Sequence, residues 1–133
     1  MKRQTDVLFE QDDLLTSLEQ MDNDALDELD FGVIGINDDG VVCRFNACEI
    51  RSVALSLEKV VGNNFFTEIA LCMNNYLVAQ RFDDAKYAGV ALDETIDYVL
   101  TWKMRPTQVK LRMLRSPQHQ TYYVVIKRLK PLV

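Results

Sequence analysis

Between Leu8 and Met21 the apolar residues Leu8, Leu14, Leu15, Leu18 and Met21 recur at loosely helical spacing. Asn23-Asp24 then precedes Ala25, Leu26 and Leu29 as the capping signal of a second short helix. The period shortens at Phe31, where a run to Asn37 predicts a strand, the turn Asp38-Asp39-Gly40 follows, and Val41–Phe45 predicts its hairpin partner. Asn46 is placed to cap a helix over about residues 47–57, Val60-Val61-Gly62 marks a connection, and Phe66–Ala70 suits another small helix. After a second capping signal at Asn74-Asn75, Val78, Phe82 and Ala85 share one face of a longer helix between Tyr76 and about Val90. From Thr95 the period is two, with Ile96, Tyr98, Leu100, Trp102 and Met104 on one face. Arg105-Pro106-Thr107 and Ser116-Pro117-Gln118 are turns, and Val109, Leu111 and Met113, then Tyr122–Lys127, continue the alternation as two further strands.

These elements predict an α+β domain: a five-stranded antiparallel sheet covered on one face by short helices and preceded by an N-terminal helical cap. The order of elements is that of a PAS domain. The boundaries divide it into a cap over residues 1–30 and a PAS core over 31–133, within one domain. The space between such a sheet and a cover of short, movable pieces is a natural place for a small ligand.

Composition narrows the function. At 133 residues with 48% hydrophobic and 26% charged positions, the chain has the make-up of a folded domain and not of a disordered one. No run approaches the roughly 20 apolar residues of a membrane span, and the Met-Lys-Arg start leads into acids, not into an apolar signal segment, so a cytoplasmic protein without a membrane partner is expected. Three cysteines, Cys43, Cys48 and Cys72, lack the paired spacing of metal or redox motifs and suit reduced thiols. The single His119 suits a surface position and gives no metal centre. No acid–base pair, phosphate loop or triad is present to mark an enzyme.

Charge is unevenly placed. Residues 1–30 hold two bases against ten acids, whereas residues 101–133 hold eight bases and no acid. Lys110 and Arg112 alternate with Val109, Leu111 and Met113, which predicts that they lie on the solvated face of a sheet, not on a nucleic-acid surface. The acidic N-terminal segment is a candidate to lie over that basic face.

Several segments, in one order and spanning nearly the whole chain, resemble the photoactive yellow protein family. They are Met21–Gly32, Phe45-Asn-Ala-Cys-Glu49, Val60–Phe66 followed by Ile69-Ala-Leu-Cys72, Met104–Thr107 and Tyr123–Arg128. The resemblance implies a blue-light receptor carrying 4-hydroxycinnamic acid as a thioester on Cys72. It assigns Glu49 as the buried acid that hydrogen-bonds the phenolate, with Phe45, Val53, Leu55, Tyr98, Trp102 and Met104 around the pocket. A carboxyl group among apolar residues stays neutral and donates to a phenolate. Light-driven isomerisation then passes its proton to the chromophore, and the stranded buried carboxylate loosens the N-terminal cap.

The chain also departs from the family pattern. Phe45 stands for a tyrosine that donates to the phenolate, Val53 for a supporting threonine and Leu55 for a shielding arginine. Trp102 replaces a tyrosine, and Leu71 a proline beside the attachment cysteine. Cys43 and Cys48 fall where the family uses no cysteine, and both suit small buried hydrophobes. Other functions compatible with the residues are a pigment-free PAS interaction module and a sensor holding another small ligand reversibly. In each case the output passes to a separate downstream protein or through weak self-association as a monomer–homodimer pair.

Overall fold

A computed structural model describes residues 7–53, 56–101 and 106–129. Five strands, β1 (Gly32–Ile36), β2 (Val42–Phe45), β3 (Leu92–Leu100), β4 (Thr107–Arg115) and β5 (Tyr122–Arg128), form one antiparallel sheet in the order β2-β1-β5-β4-β3. The first hairpin closes where the Asn37 side chain accepts from the Asp39 and Val41 amides at 2.9 and 3.0 Å, and where Gly40 takes the φ of 82° that the turn requires.

Central strands β1, β4 and β5 are covered on both faces, so their side chains alternate between two cores and not between core and water. Ile34, Ile36, Leu111, Met113, Val124 and Ile126 face a helical layer. That layer comprises α3 (Ala47–Val53), α4 (Leu57–Val60), a wide helical turn at Phe65–Ile69, a tight one at Leu71–Met73, and α5 (Ala79–Ala88). Val33, Leu114, Tyr123 and Val125 face the N-terminal segment, where Phe9, Leu14, Leu18, Leu26 and Leu29 close a second core. This segment holds α1 (Leu14–Gln20) and α2 (Asn23–Asp27).

Several boundaries differ from the sequence expectations, among them the helix expected over about 47–57, which is α3 with a separate α4 at Leu57–Val60, and three of the differences have a plain local reason. Helix α2 is capped by Asp22, whose carboxylate accepts from the Ala25 amide at 2.8 Å, one residue before the predicted Asn23. Helix α5 begins at Ala79 because Asn75 accepts from the Leu77 and Val78 amides and holds residues 76–78 in a turn of their own. Strand β3 begins at Leu92, ahead of Thr95, because its polar start is pinned by the ion pairs Arg112–Asp93 and Arg81–Glu94.

Arg112 overturns the expectation of a solvated basic face. It is 5% exposed, grips Asp93 through two nitrogens at 2.8 Å each, and donates from Nη1 to the carbonyls of Phe9 (2.7 Å) and Gln11 (2.8 Å). Arg44 does the same further along. Its Nη1 donates to the Leu18 carbonyl and the Tyr123 hydroxyl at 2.8 Å each, its Nη2 to the Met21 carbonyl, and its Nε to Asn23 at 3.2 Å. Two arginines rising from the sheet thus donate to backbone carbonyls of the N-terminal segment, and Lys127 adds an exposed pair with Glu10 that holds the Glu10 carboxyl below its usual range. Cys43 is likewise exposed and not buried, and Cys48 is half-buried; partial desolvation pushes both thiols up.

Candidate functional site

The loop after β2 builds one wall of the site. Asn46 is 1% exposed, and all its side-chain bonding capacity is directed inward. Its Oδ1 accepts from the amides of Val33 (3.0 Å) and Glu49 (3.2 Å), while its Nδ2 donates to the carbonyls of Leu26 and Phe31 at 3.0 Å each. One side chain therefore joins the start of α3, strand β1 and the end of the N-terminal segment. The Ala47 amide adds a bond to Asp27 at 2.7 Å. One helical turn further, Glu49 points under the sheet, 1% exposed.

Gly32 makes room for it. A Cβ at residue 32 would lie 1.9 Å from Glu49 Oε1, so a side chain there is incompatible with the carboxylate's position. The alternation of β5 brings Arg128 to the same point, two residues beyond Ile126, and its Nη1 and Nη2 donate to the two carboxylate oxygens of Glu49, the second at 3.3 Å.

The other wall carries Cys72. The turn Leu71–Met73 follows directly on the wide turn Phe65–Ile69, which Asn64 caps by accepting from the Phe66 and Thr67 amides. Leu71 turns outward, 67% exposed, and Met73 is buried. The Cys72 carbonyl is held twice: the Tyr98 hydroxyl donates to it, and Asn75 Nδ2 donates to it at 2.9 Å and to the Tyr98 oxygen at 2.7 Å. Burial pushes the Tyr98 phenol up, which keeps it a donor. Tyr98 acts from behind the Leu71–Met73 turn, and the cavity itself is lined by other residues.

That cavity, about 50 Å³, lies between sheet and helices and brings Cys72, Glu49 and Phe45 together, with Ile34, Phe65 and Leu100 among the apolar lining. Phe45 ends β2 and is buried against it. Leu55, Trp102, Met104 and the side chain of Val53 lie outside the described residues. Among the described residues no cluster of His, Cys, Asp and Glu is arranged to hold a metal ion, and no helix is long and apolar enough to cross a membrane.

Arg128 and Gly32 are the site residues that sequence reasoning missed. Their signal was the period of two: Gly32 shares a face with Ile34, and Arg128 with Ile126.

No family model matches the chain. It is 32% identical to the photoactive yellow protein of Rhodothalassium salexigens over 122 residues, 92% of this chain and 97% of that one. It is also 32% identical to the photoactive yellow protein of Halochromatium salexigens over 123 residues, 92% of this chain and 98% of that one. Among solved structures, the photoactive yellow protein domain of the sensor histidine kinase Ppr from Rhodospirillum centenum superposes with a TM-score of 0.77 at 32% identity, covering 84% of this chain and 97% of that one. A LOV protein of Rhodobacter sphaeroides, at 13% identity and a TM-score of 0.57, shares the fold. With its five-stranded PAS sheet and 32% identity to two photoactive yellow proteins over nearly their whole length, the chain belongs to the photoactive yellow protein family.

Proposed function

We propose that this photosensory PAS protein takes 4-hydroxycinnamic acid as a thioester on Cys72, and that the observation carrying this reading is the placement of a thiol and a buried carboxylate on one apolar cavity. The donor set suits that group: a nucleophile for its acyl end, a carboxylate for its phenolic end and apolar walls between. When bound, the group supplies light absorption and isomerisation about its double bond.

The remaining roles belong to the chain. The Cys72 sulfur attacks the carbonyl carbon of an activated 4-hydroxycinnamoyl thioester or anhydride; the acyl bond to the leaving thiol or acid breaks, and that group departs with the cysteine proton. Tyr98 and Asn75 fix the Cys72 carbonyl and so orient the attachment turn. Glu49 shares a hydrogen bond with the phenolic oxygen, and Phe45 excludes water without offering a hydroxyl. Loss of the Glu49 contact on illumination alters the first turn of α3. Asn46, bonded both to the Glu49 amide and to the Leu26 carbonyl, passes that change to the N-terminal segment, which loosens.

Intact mass after incubation with 4-hydroxycinnamic anhydride tests the attachment. One adduct, absent from Cys72→Ala, is expected. A folded protein that forms none leaves the pigment-free PAS interaction module, a reading that the small cavity and the missing Phe45 hydroxyl favour.

A further inference from the structure

The family resemblance assigns Glu49 the role of a neutral acid donating to a phenolate, but Glu49 already has a cationic partner. Arg128 donates from both terminal nitrogens to both carboxylate oxygens, and Glu49 is almost wholly out of water while Arg128 retains a solvent edge. We propose that Arg128 is a positioning residue that keeps Glu49 a carboxylate, so that the pocket receives the phenolic end of its ligand as a neutral hydroxyl which donates to Glu49. The inference rests on the phenolic ligand of the preceding reading and concerns where the proton resides.

Three observations support it. A two-point guanidinium–carboxylate contact is among the strongest charge-assisted pairings, and protonating Glu49 would leave Arg128 facing a neutral acid. A phenolate beside Glu49 would need other donors, and the strong donor on the described wall is Arg128, whose two terminal nitrogens are already directed at Glu49; Phe45 has no hydroxyl, and Ile34, Phe65, Leu100 and Ile126 are apolar. A neutral phenol needs only an acceptor, which the paired carboxylate supplies with its remaining lone pairs. No atom is gained or lost relative to the phenolate arrangement. The proton rests on the phenolic oxygen in place of the Glu49 oxygen, and Arg128 carries the compensating charge.

The carboxyl region of the infrared spectrum decides the matter in the protein without pigment. Difference spectra of native protein against Glu49→Gln, with glutamate labelled in 13C, are expected to show no protonated-carboxyl band for Glu49. Arg128→Gln is expected to gain that band, and Arg128→Lys to lose it again. A Glu49 carboxyl band in the native protein, or no band in folded Arg128→Gln, overturns the proposal. In the Cys72 adduct, native protein is expected to absorb in the near ultraviolet as the protonated thioester does, and Arg128→Gln to shift toward the visible; a visible band in native protein overturns it. If no adduct forms, the ligand reading fails by itself, and the infrared result still decides the charge of Glu49.

Discussion

Glu49 depends on the absence of a side chain elsewhere. Because a methyl group on residue 32 would overlap its Oε1, Gly32→Ala is expected to push Glu49 away from Arg128 and to destabilise the protein by about 1–3 kcal/mol, the usual cost of overpacking. The urea midpoint measures that loss, and an unchanged midpoint would show that Glu49 is free to move. At this scale the sequence was partly legible. The resemblance picked out Cys72, Glu49 and Phe45, and the structure places all three on one cavity. Arg128 was not legible, because an arginine near the end of a strand resembles any solvated terminus until the pairing of Gly32 with Ile126 shows which face it shares with Glu49.

Among elements, the N-terminal segment is held more by arginines than by its own helices, which are short and have few intrinsic means of stability. Arg112→Met keeps the apolar stem but leaves the Phe9 and Gln11 carbonyls without their donor and Asp93 without its partner. It is expected to cost roughly 2 kcal/mol, the worth of hydrogen bonds to a charged group. Faster hydrogen exchange confined to residues 9–21 would be its signature, while acceleration spread evenly through the sheet would contradict a local clamp. Alternation predicted the strands well because period two is a property of the strand itself. It could not predict that Arg112 is buried, since the cover over that face comes from residues about a hundred positions away. The unequal charge of the two ends was the available signal, and it pointed to the surface that the segment covers.

For the whole molecule, the two faces of one sheet serve different tasks: one encloses the cavity, the other docks the segment proposed to be released. Adjacent residues Tyr122 and Tyr123 point to opposite cores, and burial raises both phenols, Tyr122 from 10 to about 12 and Tyr123 likewise upward. A folded value above the unfolded one means that the stabilisation is complete below pH 10 and is lost as pH rises through the folded value. Stability is therefore expected to fall between pH 10 and 12, and Tyr122→Phe to lessen the fall. A denaturation midpoint flat across that interval would contradict the burial of these phenols.

The central claim is that Cys72 and Glu49 frame a light-sensing pocket. Its most direct test is the absorption of the protein after reaction with 4-hydroxycinnamic anhydride, followed during illumination at its own maximum and then in darkness. A band absent from Cys72→Ala that bleaches and returns is the predicted result. A Cys72-dependent band that does not respond to light would contradict it.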